Sequence, residues 1–288
     1  MYKKVFLTGG TGFLGSEILR ELVKNNFKVK VLVHFRKPAV SSKLVEISDG
    51  DMFDLNSLTK SMKGCDAVVH VAGLVNENPS RGLTFEKVHV DASNNLIIAA
   101  KKNGIERFIH TSTIVAKQKG KRYQTTKYKG EQLVRNSDLT YTIFRPTIIF
   151  GKGDKFTNGL IKMMRFRIVP YFGDGNHRFQ PVSVKTVAKA FAKAINSKKT
   201  FNKTYQLGGP KVYTYKELLD AIANRCRVKI TKIPMPIWFT RMLIGLFGWL
   251  PNFPITNEEV NRLLEDNVCD SNKIFKDLEL ENFGLESL

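Results

Sequence analysis

The chain has 288 residues, of which 42% are hydrophobic and 25% are charged, a globular composition that excludes disordered and fibrous proteins. Its 46 Lys and Arg against 26 Asp and Glu give a net charge of +20, which favours anionic partners such as phosphates or acidic membrane surfaces. The three cysteines are far apart, so neither a disulfide framework nor a metal site is predicted.

Strand and helix patterns alternate along the first half of the chain. Short apolar runs typical of buried strands lie at residues 5–7, 29–33, 67–71, 107–112 and 140–144. Helical periodicity separates them, most clearly at residues 85–102 and 123–135, with a turn and a short helix before residue 67. Strands separated by helices form βαβ units, so we predict an α/β fold with a Rossmann-type, doubly wound parallel sheet.

A glycine-rich turn joins the first strand to the first helix. Gly9 allows the tight turn, Gly12 allows a pyrophosphate to approach the backbone, and Gly15 allows the helix to pack closely on the strand. The N–H groups at the start of the helix attract phosphate. This context predicts a dinucleotide site, with Thr11, Phe13 and Leu14 as further contacts.

The end of the second strand indicates which dinucleotide binds. An NAD site usually has an acidic residue there for the ribose hydroxyls. Residues 33–37 contain no acid but include His34, Arg36 and Lys37. Arg36 suits a 2′-phosphate, so we predict NADP(H), with NAD(H) as the alternative.

After residue 151 the loops lengthen and helices become dominant. We therefore predict a dinucleotide-binding domain at residues 1–150 and a smaller, mostly helical substrate portion at residues 151–288. The segment 182–208 is expected to return to the core of the first domain.

Three further residues point to proton transfer. Tyr123 and Lys127 are four positions apart on a helix and share one face. An ammonium group stabilises a nearby phenolate, so Tyr123 can exchange a proton with a carbonyl or alcohol oxygen. Ser112 ends a strand, where parallel sheets bind ligands, and is predicted to orient that oxygen.

These motifs together resemble the extended and atypical short-chain dehydrogenase/reductases of the NAD-dependent epimerase/dehydratase type. The resemblance spans nearly the whole chain and is carried by residues 9–15, Tyr123-x-x-x-Lys127 and residues 145–151. It is closest to the branch containing the NADPH-binding accessory subunit of respiratory complex I and its bacterial relatives. It implies that Tyr123 and Lys127 also hold the cofactor, together with Asp51, Met52, Ala72, Gly73, Pro146 and Thr147.

Two departures from the family pattern bear on activity. Ser112 and Tyr123 are only 11 residues apart, a shorter link than in typical members. His89 stands where members often have Asn, and we interpret it as a packed or exposed helical histidine. Two functions therefore stay open. One is an NAD(P)-dependent oxidoreductase or epimerase acting on a carbonyl/alcohol substrate. The other is a non-catalytic NADP(H)-binding accessory or assembly protein of a membrane respiratory complex.

Residues 237–250 form an apolar stretch with a single charge. Fourteen residues are too few to span a bilayer, so a packed helix covering the substrate site is favoured. The alternatives are a partner interface, an interfacial helix on acidic lipid, or the lining of a pocket for a bulky apolar substrate. No nucleic-acid motif is present. We expect a cytoplasmic protein, with a peripheral contact to a membrane or a respiratory complex as an open alternative, and either a monomer or a homodimer.

Overall fold

The computed structural model describes residues 1–34, 36–249 and 256–288. The strands in these ranges are β1 (Lys4–Thr8), β2 (Lys28–Val33), β3 (Val45–Asp49), β4 (Ala67–His70), β5 (Arg107–Thr111), β6 (Thr140–Pro146), β7 (Ile149–Phe150), β8 (Ile168–Phe172), β9 (Arg178–Phe179), β10 (Val182–Ser183), β11 (Lys203–Leu207), β12 (Tyr213–Thr214) and β13 (Thr231–Met235).

The α-helices are α1 (Phe13–Lys24), α2 (Leu55–Ser61), α3 (Ala92–Lys102), α4 (Arg122–Arg135), α5 (Lys155–Met164), α6 (Val184–Ala194), α7 (Tyr215–Arg225), α8 (Ile237–Phe247), α9 (Asn257–Leu263) and α10 (Asn272–Leu278). A π-helical turn at Lys87–Asp91 precedes α3, and 3₁₀ turns lie at Pro79–Arg81, Lys198–Thr200 and Leu285–Ser287.

The chain forms two compact units. The first contains Met1–Pro146, Val184–Leu207 and Asp270–Asn282. The second contains Thr147–Ser183, Gly208–Cys269 and Phe283–Leu288. Sequence analysis placed residues 270–282 in the C-terminal portion, whereas their helix α10 contacts α6 and β11 of the first unit.

The first unit is built on a seven-stranded sheet in the order β11-β6-β5-β4-β1-β2-β3. Every neighbouring pair in it is parallel. The predicted Rossmann-type parallel sheet is therefore confirmed. The strand order reverses between β1 and β4, and this is the point at which such sheets bind ligands beyond their carboxyl ends.

Sequence analysis named neither β3 nor β11 as a strand of this sheet, although it expected residues 182–208, which contain β11, to return to the core. It expected a turn and a short helix between β2 and β4, but β3 pairs with β2 and places Asp49 opposite Val33. None of the five side chains of β3 is buried. An edge strand needs no continuous apolar run, so the pattern used to find the other strands was absent.

A buried arginine ties the returning segment to the sheet. Arg107, at the start of β5, is fully buried. Its guanidinium donates to the carbonyls of Ala194 and Ile195 at 2.8 and 3.1 Å, and to the Thr142 hydroxyl at 2.6 Å. Burial lowers the pKa of Arg107 to about 10. Removing the charge from water is tolerable because these acceptors satisfy its donors.

The second unit has its own apolar core. Phe150, Phe172, Phe179, Tyr215 and Leu219 are buried in it. Helix α7 begins with a reciprocal capping box, in which Thr214 accepts from the Glu217 N–H and Glu217 accepts from the Thr214 N–H.

Helix α8 differs from the expectation for its stretch of sequence. The prediction that this helix is packed is wrong for one of its faces, because Trp238, Met242 and Leu246 are exposed. Leu250, the last residue of the predicted stretch, lies outside the described residues. In the part of the chain that the structure describes, no helix is both long and apolar enough to cross a membrane.

Candidate active site

The glycine turn packs tightly against the segment that follows β4. Gly9 has φ +72°, and a Cβ on it would lie 2.6 Å from the backbone nitrogen of Ala72. A Cβ on Gly15 would overlap the Gly9 carbonyl oxygen, which also accepts a hydrogen bond of 3.0 Å from the Gly12 N–H. Positive φ and close backbone approach both require glycine. The predicted roles of Gly9 and Gly15 in the turn thus have a steric basis.

The first turn of α1 presents free backbone donors at this turn. Gly12 occupies the N-cap in an extended conformation, with Thr11 exposed before it and Phe13 and Leu14 half-buried after it. Among the described residues, no side chain caps α1, and its first turn contains no acid. Uncapped N–H groups and the helix dipole suit a phosphate, so the residues present fit a dinucleotide.

Positive and negative side chains lie at or beyond the carboxyl ends of β2 and β3. His34 and Arg36 are exposed beyond β2, while Phe35 between them lies outside the described residues. Asp49 stands in register with Val33, and sequence analysis missed this carboxylate because it missed β3. Farther along the chain, the Asp51 carboxylate accepts from the Phe53 N–H at 2.9 Å. Met52 is half-buried against the core of the first unit.

Ala72 and Gly73 lie between the glycine turn and Lys127. The Ala72 N–H donates to the Thr8 hydroxyl at 3.4 Å. A Cβ on Gly73 would lie 3.6 Å from Lys127 Nζ. The structure therefore brings the carboxyl ends of β1 and β4 to the base of α4.

Lys127 is the buried charge of this site. Its ammonium donates to the Thr111 carbonyl at 2.8 Å. The side-chain hydroxyls of Thr111 and of the following Ser112 are buried and have no hydrogen-bond partner within the described ranges. Buried polar atoms normally have partners, so these hydroxyls are candidates for binding a ligand oxygen.

Tyr123 is half-buried in the first turn of α4. Its ring stands edge-on to those of Phe85 and His89, with centroids 5.5 and 5.6 Å away. It lies one helical turn before Lys127, so the predicted pair shares one face.

Pro146 and Thr147 fall on either side of the boundary between the two units. In the first unit, the Pro146 carbonyl accepts from the Ile114 N–H at 3.1 Å. In the second, the Thr147 hydroxyl donates to the Gln180 carbonyl at 2.5 Å. Their assignment as cofactor contacts stays a prediction.

Three buried histidines surround Lys127, and the sequence singled out only one of them. His70 Nδ1 lies 2.7 Å from the Thr8 hydroxyl, and its ring centroid is 5.3 Å from that of His110. His89 lies in the π-helical turn, with Nδ1 3.0 Å from the Thr126 hydroxyl and Nε2 3.0 Å from the Leu74 carbonyl. Sequence analysis left open whether the helical histidine at position 89 is packed or exposed, and the structure shows that its side chain is buried.

The histidines are electrically neutral. Burial, followed by the charge of Lys127, lowers the pKa of His70 to about 3 and that of His89 to about 2. Burial and the neighbouring His70 lower the pKa of His110 well below its ordinary value. Lys127 therefore carries the positive charge of this cluster at neutral pH.

The chain matches the model of a known protein family. The model of the NAD dependent epimerase/dehydratase family matches residues 5–208. The chain belongs to this family. Membership confirms the resemblance seen in the sequence and makes the protein an NAD(P)-dependent oxidoreductase or epimerase by family, with a pyridine nucleotide as cofactor.

Individual relatives of this epimerase/dehydratase family member are distant. It is 27% identical over 283 residues to the 40 kDa subunit of mitochondrial NADH-ubiquinone oxidoreductase from Neurospora crassa, covering 95% of this chain and 74% of the relative. It is 29% identical over 264 residues to ceramide reductase from Caulobacter vibrioides, covering 87% and 80%. The crystal structure of UDP-glucose 4-epimerase from Thermotoga maritima, at 20% identity, matches with a TM-score of 0.76 over 99% of this chain and 95% of that one. This last likeness is one of fold.

Because Lys127 is buried, the free energy of unfolding is expected to depend on pH. Burial lowers the pKa of Lys127 from 10.5 to about 8, although the Glu131 charge opposes the shift. The unfolded chain therefore binds more protons between these two pH values, and stability rises with pH through that window. At pH 7 the buried charge costs about 3 kcal/mol.

Replacing Lys127 by Met is expected to raise the free energy of unfolding at pH 7 by about 1–2 kcal/mol. This is less than the cost of the buried charge, because the Thr111 carbonyl loses its hydrogen-bond donor. The difference in the free energy of unfolding between variant and wild type should fall by about 2 kcal/mol between about pH 7 and about pH 9.5, as the wild-type lysine loses its proton. The variant should then no longer be more stable than the wild type. Urea unfolding at both pH values measures this difference. Lys129→Met, an exposed position on the same helix, is the control and should change stability by less than about 0.5 kcal/mol. A gain that is equal at both pH values would contradict the buried charge.

Proposed function

We propose that the protein is an NADP(H)-preferring oxidoreductase that interconverts a carbonyl and an alcohol on a bulky, apolar substrate. The observation that carries the proposal is the buried ammonium of Lys127, which is bonded to the Thr111 carbonyl, together with the buried hydroxyl of the next residue, Ser112, which has no partner in the described part of the chain. A protein gains no stability from this pair, so a role in binding or chemistry accounts for its presence.

Each residue has a distinct task in this proposal. The Ser112 hydroxyl donates a hydrogen bond to the substrate oxygen. Tyr123 gives a proton to that oxygen, or takes one from it, and Lys127 stabilises the phenolate that results. The cofactor, when bound, supplies or accepts the hydride. The neutral histidines keep further positive charge away from Lys127, and His89 holds the segment after β4 to α4 through Leu74 and Thr126.

Two observations support the proposed substrate class, namely the name of one relative and the exposed apolar side chains of the second unit. The Caulobacter vibrioides relative is named a ceramide reductase, a name that denotes reduction of a lipid. The exposed apolar side chains of α8 favour the same class of partner. A screen of long-chain ketones and aldehydes with NADPH is therefore the first assay. Net oxidation of NADPH would distinguish an oxidoreductase from an epimerase, which regenerates its cofactor in every cycle and therefore consumes no NADPH.

Replacing Tyr123 by Phe removes the proposed proton donor and keeps the ring. Turnover is expected to fall at least about a hundredfold, the usual contribution of a positioned acid or base, while NADPH affinity stays close to that of the wild type. The control is Tyr128→Phe, which loses a hydroxyl on the same helix and should keep full turnover. If Tyr123→Phe turns over like the control, the assignment of Tyr123 is wrong.

The preference for NADP(H) depends on the exposed cations beyond β2. Arg36 offers a bidentate donor for a 2′-phosphate, and Lys37 adds a second charge. Asp49 works against this preference, because it stands in register with Val33 on the neighbouring strand. The proposal is that the two cations outweigh the one carboxylate.

Arg36→Ala should weaken NADPH binding about tenfold and leave NADH binding unchanged, since a charge-assisted hydrogen bond contributes about 1.5 kcal/mol or more. Calorimetric titration of both nucleotides measures the effect. Lys28→Ala is the matched control, since Lys28 is an exposed cation at the opposite end of β2. Tighter binding of NADH than NADPH by the wild type would overturn the preference.

A second function is supported by other relatives. The Neurospora crassa relative and an Arabidopsis thaliana relative are both named as subunits of mitochondrial NADH-ubiquinone oxidoreductase or NADH dehydrogenase. A non-catalytic NADP(H)-binding accessory protein of a membrane respiratory complex is therefore the alternative. NADP(H) that survives dialysis, together with no turnover in the carbonyl screen, would favour it. In either case the proposed location is the cytoplasm with a peripheral contact at a membrane.

A further inference from the structure

The outward side of α8 is apolar, which is the reverse of an ordinary surface helix. Trp238, Met242 and Leu246 follow one another at intervals of four residues and therefore lie on one face. That face is open, because Trp238 is 69% and Leu246 is 56% exposed. Of the helix residues, all of which are described, Thr240 on the opposite side is the buried one. A surface helix normally turns polar residues outward, and an exposed apolar stripe indicates an interaction site.

A second tryptophan extends the stripe at the end of the helix. Trp249 follows α8 and is 77% exposed. Its indole N–H donates to the Leu246 carbonyl at 2.8 Å, which holds the ring at the C-terminal end of the stripe. Tryptophan combines a large apolar ring with one polar donor, and it is enriched where protein meets the interfacial layer of a bilayer.

The stretch of sequence that leads into α8 and runs through it carries charges of one sign. Residues 221–257 contain no Asp or Glu but include five cations, namely Arg225, Arg227, Lys229, Lys232 and Arg241. One of them, Lys232, is paired with Asp220 at 2.6 Å. Arg241 is exposed on the helix itself. An anionic surface is complementary to the positive charge of this stretch.

A loop of the same unit repeats this combination. Arg165, Phe166, Arg167 and Ile168 are exposed in succession, and Phe166 is 79% exposed. The Arg167 carbonyl accepts from the Thr231 N–H at 2.7 Å, which joins this loop to the start of β13. Strand β13 leads into α8 after the single residue Pro236. Ile168 and Ile233 lie on one face of the β8–β13 ribbon and are both exposed.

We propose that α8 docks on an anionic lipid bilayer, with Trp238, Met242, Leu246 and Trp249 in the interfacial layer and the arginines at the headgroups. The helix has 11 residues and is about 16 Å long, so it lies in the plane of the interface and does not span the bilayer. Buried apolar area and attraction to anionic lipid add together in this mode of binding. The inference rests on the proposed peripheral location and is independent of the proposed reaction.

Intrinsic fluorescence gives a direct test, because the two tryptophans of the chain are Trp238 and Trp249. Adding vesicles of phosphatidylcholine mixed with phosphatidylglycerol should shift their emission to the blue, and brominated lipid should quench it. Flotation with the same vesicles should recover the full-length protein. Vesicles of phosphatidylcholine alone should bind at least about tenfold more weakly, because each cation near the surface contributes about a fivefold factor.

Three pairs of substitutions separate the contributions. Trp238→Ser with Leu246→Ser should reduce vesicle binding at least about tenfold through lost apolar contact. Arg165→Ser with Arg167→Ser should reduce it about twentyfold at low salt, with less effect at high salt. Lys198→Ser with Lys199→Ser removes the same charge from an exposed site of the first unit and should change binding much less.

The outcomes that overturn the proposal are distinct from a failure of the proposed function. Absence of both the blue shift and flotation, in protein that binds NADPH normally, would overturn docking alone. A blue-shifted emission without lipid, together with a dimer that Trp238→Ser dissociates, would show that a second copy covers the face and would equally overturn it. Vesicle docking by protein that binds neither nucleotide would leave docking intact and remove the proposed reaction.

Discussion

The positive charge of Lys127, withdrawn from water at the carboxyl edge of the sheet, is the constraint around which this site is organised. Burial, and after it the charge of Lys127, lowers the pKa of His70 and His89, and burial with the neighbouring His70 lowers that of His110, so that Lys127 carries the positive charge among them. Part of the cost is offset within α4, where the fully buried Glu131 raises the pKa of the lysine. Glu131 is itself held by Arg145 at 2.6 and 2.7 Å. Each of these groups is tolerable in the core because the others are present.

The same constraint connects the glycine turn with the proton-transfer residues. The ammonium reaches the Thr111 carbonyl at the end of β5 and lies close to Gly73 in the segment after β4. That segment lies against Gly9, which leads into α1. The backbone predicted to bind the nucleotide and the buried lysine thus share one edge of the sheet. In a parallel sheet all carboxyl ends meet at one edge, which makes this convergence a property of the fold.

The short link between Ser112 and Tyr123 ends at the first turn of α4, and neighbouring side chains fix the position of Tyr123 there. Tyr123 stands in the first turn of α4, where the Gln124 side chain accepts from the Lys121 N–H and starts the helix. Its ring is placed by Phe85 and His89, which both come from the region around the π-helical turn. π-helical turns often occur at functional sites. His89 thus contributes to the position of the predicted proton donor.

Local sequence was sufficient for five strands of the sheet, the helices between them, the glycine turn and the Tyr123–Lys127 pair, since each depends on the spacing of near neighbours. It was insufficient for β3, whose side chains are all at least partly exposed, and for His70 and His110, which looked like ordinary strand residues. The outward face of α8 was also beyond it, because hydropathy reports that a side chain is apolar and does not report whether anything covers it. Burial, and with it the pKa of Lys127 and of the histidines, was decided by tertiary structure. The desolvation of a charge depends on groups that lie close in space but far apart in the chain.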